Sequence, residues 1–99
     1  MKHFVVEIIY KAPIEKITEL RPIHREFLQK GYESGRLLVS GPQTPQIGGI
    51  VIARGESMEE IAEYFSNDPY SKANAAHYQF IEFTPVSRQE FLNDWLDGK

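Results

Sequence analysis

Apolar residues recur along this chain with two periods, and the places where the period changes lay out its elements. "HFVVEIIY" (His3–Tyr10) is β-branched and aromatic and reads as a strand. Phe4, Val6, Ile8 and Tyr10 fall on one face, Val5 and Ile9 on the other, so both faces carry apolar residues, as in strands covered on both sides. "KAPIEKITELRPIHREFLQKGYESG" then takes a helical period between Pro13, suited to a first turn, and Gly35, suited to a stop. Pro22 interrupts that period and predicts either a bend near Arg21–Pro22 or a helix that begins there. "RLLVSGP" (Arg36–Pro42) and "GGIVIARG" (Gly48–Gly55) are strands two and three, joined through a "QTPQ" loop. "SMEEIAEYFSNDP" opens with a capping box, Ser57 and Glu60, and stops at Pro69. "HYQFIEFTP" (His77–Pro85) is a fourth strand. "SRQEFLNDWLDGK" reads as a last helix, with Ser87 and Glu90 as its capping box and Phe91, Leu92, Trp95 and Leu96 on one stripe.

The order β-α-β-β-α-β predicts an α+β, ferredoxin-like domain over residues 1–86, with a C-terminal helix in 87–99. Two helices cover one face of a four-stranded antiparallel sheet. The doubly apolar first strand needs cover on the other face, and a chain this short has only the last helix to spare. A homodimer packed through its sheet faces is therefore expected.

Composition narrows the partners. Ninety-nine residues, 41% hydrophobic and 25% charged, make one globular domain. A net charge of −3 argues against nucleic acid or an anionic membrane surface as the main partner. The start of the chain has neither the n-region nor the h-region of a signal peptide, and no apolar run approaches a membrane span. With no cysteine there is no thiolate and no disulfide, which fits a cytoplasmic setting. His3, His24 and His77 have no metal-ligand spacing, and no phosphate-loop pattern occurs, so neither metal nor organic cofactor is expected.

The candidate chemistry centres on His24. Ile17, Leu20, Phe27, Leu28 and Gly31 gather on one side of the first helix, and His24 lies near the middle of that stripe, facing the sheet. The pattern alone favours a packed histidine, although Gly31 on the same face suggests nearby room. The predicted topology brings Tyr10, the early turns of this helix, Ser40–Gly41 and "NDPY" to one edge of the sheet. Asp68 is the only carboxylate in "NDPY". Bonded to one imidazole nitrogen, it would fix the tautomer and leave the other nitrogen free for proton transfer. Otherwise Asp68 is a turn residue bonding its own backbone, Tyr70 a packed aromatic, Ser40 a strand hydroxyl and Gly41 a turn glycine that could let a ligand approach backbone amides.

"RPIH" in the first helix, "GRLLVSGP" through the second strand, the following "GG", and "NDPY" resemble the YciI-like (YCII-related) family from about Phe4 to Val86. The resemblance implies a dimeric α+β barrel of ferredoxin-like subunits, akin to muconolactone isomerase, and a histidine–aspartate dyad falling on His24 and Asp68. One branch of that family removes chloride from a chlorinated hydroxyhydroquinone, but sharing a fold does not transfer a substrate. The expected function is a cofactor-independent isomerase or lyase, dehydrochlorinase-like, acting on a small, possibly aromatic molecule. In it His24 and Asp68 are catalytic, and Tyr10, Ser40, Gly41 and Tyr70 bind substrate. The alternatives are a module that only binds a small molecule and an accessory module that docks through its last helix.

Overall fold

A computed structural model describes residues 1–99 as β1 (Lys2–Tyr10), α1 (Ile14–Glu33), β2 (Leu37–Pro42), β3 (Gly48–Gly55), α2 (Met58–Phe65), α3 (Pro69–Lys72), β4 (Ala76–Phe83), a single 3-10 turn (Glu90–Leu92) and α4 (Asn93–Leu96). The strands form one antiparallel sheet in the order β2-β3-β1-β4, the ferredoxin-like arrangement. No helix is long and apolar enough to cross a membrane.

Local chemistry explains most of the boundaries. Gly35, with φ of +82°, follows the end of α1 in a backbone conformation that favours glycine. At α2 the Ser57 hydroxyl accepts the Glu60 N–H at 3.1 Å, while the Glu60 carboxylate reaches the N–H of Glu56 at 3.2 Å and Arg36 at 2.7 Å. The capping box is therefore closed one residue upstream of the usual position.

Three expectations need correcting. Of the two readings of Pro22, a helix beginning there is excluded: α1 starts at Ile14 and runs through the proline. Pro22 denies the Thr18 carbonyl its helical bond, but buried Ile17 packs the preceding turns into the core, and packing outweighs one missing bond. Gly41 is a strand residue of β2, paired with Ile50, rather than a turn glycine. The C-terminal segment is not one capped helix. Gln89, not Ser87, precedes its 3-10 turn without a side-chain cap, and the expected stripe splits, with Leu96 buried and Phe91 82% exposed. Separate anchors hold this tail instead. Trp95 Nε1 donates to the Gly35 carbonyl at 2.9 Å, His3 Nε2 bonds the Leu96 carbonyl at 2.9 Å, and Arg54 lies over the Trp95 ring at 5.0 Å.

The core lies between the helices and the inner face of the sheet. Phe4, Val6 and Ile8 from β1 and Val51 and Ala53 from β3 pack against Ile17, Leu28, Ile61 and Phe65. On the outer face, register lines up Val39, Ile52, Val5 and Ile81 across all four strands. Val39 is 55% and Ile81 45% exposed, so this apolar row lies open beyond the end covered by the tail.

Gly31 does not mark free space, as its place on the stripe suggested. A Cβ there would meet Leu37 Cδ1 at 2.6 Å and Cγ at 2.7 Å, as well as the Tyr64 hydroxyl. Helix propensity alone makes Gly→Ala stabilising by about 1 kcal/mol. Overpacking reverses the sign, and Gly31→Ala should destabilise the fold by about 1–3 kcal/mol in urea unfolding. A stabilised variant would mean that Leu37 and Tyr64 yield freely.

Three phenols share this interior, and each is pushed above its ordinary value near 10: Tyr64 and Tyr70 chiefly by burial, Tyr78 by burial and then by the neighbouring Asp68 carboxylate. Because the folded state holds these protons more tightly, the associated stability is complete below about pH 10 and declines as pH rises beyond it. Urea midpoints should therefore fall above that pH. Tyr78→Phe should flatten the decline by up to about 1.4 kcal/mol per pH unit. Identical alkaline slopes for wild type and variant would show that Tyr78 ionises alike in both states.

Candidate active site

α2 stops at Phe65, and the chain turns through Ser66 and Asn67 into Asp68, the N-cap of α3. Pro69 occupies the first helical position, where its missing N–H costs nothing. Asp68 is fully buried, and three hydrogen bonds meet its carboxylate. Oδ1 accepts the Tyr70 backbone N–H at 3.1 Å and His24 Nδ1 at 2.8 Å, and Oδ2 accepts the Tyr78 hydroxyl at 2.7 Å. Capping and pairing, weighed as alternatives from sequence, are performed by one side chain at once.

His24 points from the middle of α1 toward this carboxylate. The acceptor at Nδ1 means that nitrogen carries the hydrogen, so Nε2 presents its lone pair in the neutral ring. Tyr70 stacks on the imidazole at 4.0 Å between centroids and 15° between planes, which together with Asp68 fixes the ring's orientation. Nε2 has no protein partner, yet no buried side-chain nitrogen or oxygen is left unpaired, so Nε2 reaches solvent. His24 lines a cavity of about 300 Å³ between α1 and the β1–β3–β2 side of the sheet.

Every candidate named from sequence except Asp68 lines that cavity: Tyr10, His24, Ser40, Gly41 and Tyr70. Asp68 stands behind His24. Tyr10 meets Tyr70 edge to face at 5.8 Å, and the Ser40 hydroxyl is hydrogen-bonded to that of Tyr32. A Cβ on Gly41 would meet nothing, so this residue supplies backbone wall without being needed for clearance. Gly49 is what keeps the floor open, because a side chain there would enter the hollow with only the Gly41 carbonyl close by, 3.2 Å from its Cβ.

Sequence reasoning passed over Arg21, Arg25 and Tyr78. Arg21 and Arg25 line the cavity alongside Tyr10 and Tyr70. The two arginines lie one turn before and one residue after His24, a spacing readable once His24 is placed on the inner face. Tyr78 was equally open to inference, since alternation along β4 puts it on the same inner face as Ile8, its partner across the ladder.

Comparison with known proteins agrees with this architecture. Protein YciI of Escherichia coli O6:H1 is 31% identical over 86 residues, covering 76% of this chain and 85% of its own, and protein YciI of Shigella flexneri matches to the same extent. Among solved structures, the 5-chloro-2-hydroxyhydroquinone dehydrochlorinase of Burkholderia phenoliruptrix AC1100, in complex with 2,5-dihydroxybenzoquinone, superposes with a TM-score of 0.68. It covers 90% of this chain and 97% of its own at 17% identity, a likeness of fold. The model of the YCII-related domain matches residues 1–84, and the chain belongs to that family.

Proposed function

We propose that this protein is an acid–base enzyme, working without a cofactor, that isomerises a small organic molecule or eliminates a group from it. The observation that supports this reading is the asymmetry of His24: Nδ1 is committed to a buried carboxylate, while Nε2 keeps no protein partner and the residue lines a cavity of ligand size. Nε2 takes a proton from carbon or oxygen next to a carbonyl or phenol. The electron pair left behind moves into the substrate, and the imidazolium returns the proton elsewhere or a leaving group such as chloride departs. Asp68 holds the tautomer and balances the imidazolium charge. Tyr10, Tyr70 and Ser40 position the substrate, and Gly41 gives it a bare backbone wall to lie against. The dehydrochlorinase with the same fold makes chlorinated hydroxyhydroquinones the first compounds to try.

The same reading takes the outer apolar row, Val39–Ile52–Val5–Ile81, as the face on which a second copy packs. Sedimentation at micromolar concentration should give a dimer, and Val39→Glu with Ile81→Glu should give a folded monomer. A wild-type monomer at that concentration would rule out this mode of pairing.

The chemistry is tested by incubating the protein in D₂O with phenols, quinones and enolisable carbonyl compounds, 5-chloro-2-hydroxyhydroquinone among them. Solvent deuterium entering carbon positions, or released chloride, reports turnover. His24→Ala should lower the rate by about 10²–10⁴-fold with the fold intact, and Asp68→Asn should lower it by less. His24→Ala running at the wild-type rate would end this mechanism. A wild-type protein inert to the whole panel would favour a site that only binds.

A further inference from the structure

The cavity carries a charge opposite to that of the protein. The chain as a whole is at −3, yet the 14 residues lining the hollow include Arg21, Arg25 and His24 and no aspartate or glutamate. The one acid nearby, Asp68, is fully buried behind His24 with both oxygens engaged. Neither arginine forms an ion pair, although Arg36 and Arg88 elsewhere each hold a carboxylate.

Helix geometry leaves these cations without partners. The neighbours of Arg21 three and four positions away are Ile17, Thr18, His24 and Arg25; those of Arg25 are Arg21, Pro22, Leu28 and Gln29. No carboxylate is within reach along α1, and the two guanidinium groups are themselves an i,i+4 pair of like charge, which destabilises a helix. Beside Arg21 in the cavity wall stand two phenols, Tyr10 and Tyr70. Across from them the sheet contributes Ile8 and Val51, with Gly49 leaving the floor bare. A molecule filling this space meets hydrocarbon on one side and two free cations on the other.

We infer that the ligand of this cavity is a small aromatic or unsaturated organic anion, and that Arg21, assisted by Arg25, binds its negative oxygen while the ring lies over Ile8 and Val51 beside His24. Arg21 thereby sets specificity for charge, and its guanidinium offers a carboxylate or phenolate two parallel donors. This inference rests on the cavity being a small-molecule site.

The probes are 2-hydroxybenzoate and its neutral amide, 2-hydroxybenzamide, titrated into ¹⁵N-labelled protein, with affinity and location read from the cavity amides of Gly41 and Gly49. The benzoate should bind roughly tenfold or more tightly than the amide, the difference one charge-assisted contact supplies. Arg21→Gln should abolish that preference and leave the amide's affinity within about twofold, since it removes the charge and not the apolar wall. Arg25→Gln should reduce the preference in part, and His24→Ala should retain it. Equal affinities for the two probes, or a preference that survives Arg21→Gln, would overturn the assignment. If the amides that move lie elsewhere, if neither probe moves any at millimolar concentration, or if a folded Gly49→Leu still binds both, the cavity itself is not the site and the functional reading falls with the inference. Turnover plays no part in these measurements, so loss of the catalytic proposal alone leaves the charge preference standing.

Discussion

A carboxylate with no access to solvent has to be satisfied from within the protein, and Asp68 imposes that requirement on everything around it. An unpaired buried charge would cost several kcal/mol. Three donors prevent this, and each comes from a different part of the fold: His24 from α1, the Tyr70 amide from α3 and the Tyr78 hydroxyl from β4. The carboxylate therefore works as a joint. It sets how far α1 lies from the end of β4 and orients the first turn of α3. Because α3 carries Tyr70, the same joint sets the plane against which His24 stacks.

From this follows the difference between the two nitrogens of His24. A packed histidine satisfies both of them locally. Here the joint consumes Nδ1, Nε2 keeps no protein partner, and His24 lines a cavity in which Gly49 carries no side chain. The opening and the buried pair are coupled, because the rigid carboxylate keeps the ring from turning to cover its free nitrogen. Pre-organisation of that kind is what a proton-transfer group requires.

The fold was legible in the sequence because it rests on periodicities that survive in one dimension. The doubly apolar "HFVVEIIY", the two strands around "QTPQ" and the Ser57 cap all lead to the observed sheet order. His24 on the inner stripe and Asp68 at a chain reversal were readable for the same reason. The misreadings have a common cause. Pro22, Gly31 and the Ser87 segment were judged by local rules, and in each case a distant residue decided the outcome: the core around Ile17, Leu37 against Gly31, and Gly35, His3 and Arg54 against the tail. Arg21 and Arg25 were missed for another reason. Their spacing from His24 was readable, but that both line the cavity and form no ion pair with a distant element shows only in three dimensions.

The tail bears on the outer face in the same way. By bonding His3 and stacking on Arg54 it covers the end of the sheet where β1 begins and β3 ends. The row from Val39 to Ile81 lies further along, so a second sheet packing there has to sit away from the tail. Glu7 and its neighbour Gln79 lie next to that row on the same face. A carboxylate at that position tolerates an apolar partner surface only if it keeps water or gains a donor across the interface. In the dimer proposed above, burial of the row would therefore favour those registers of the two sheets that leave Glu7 and Gln79 a polar partner or water.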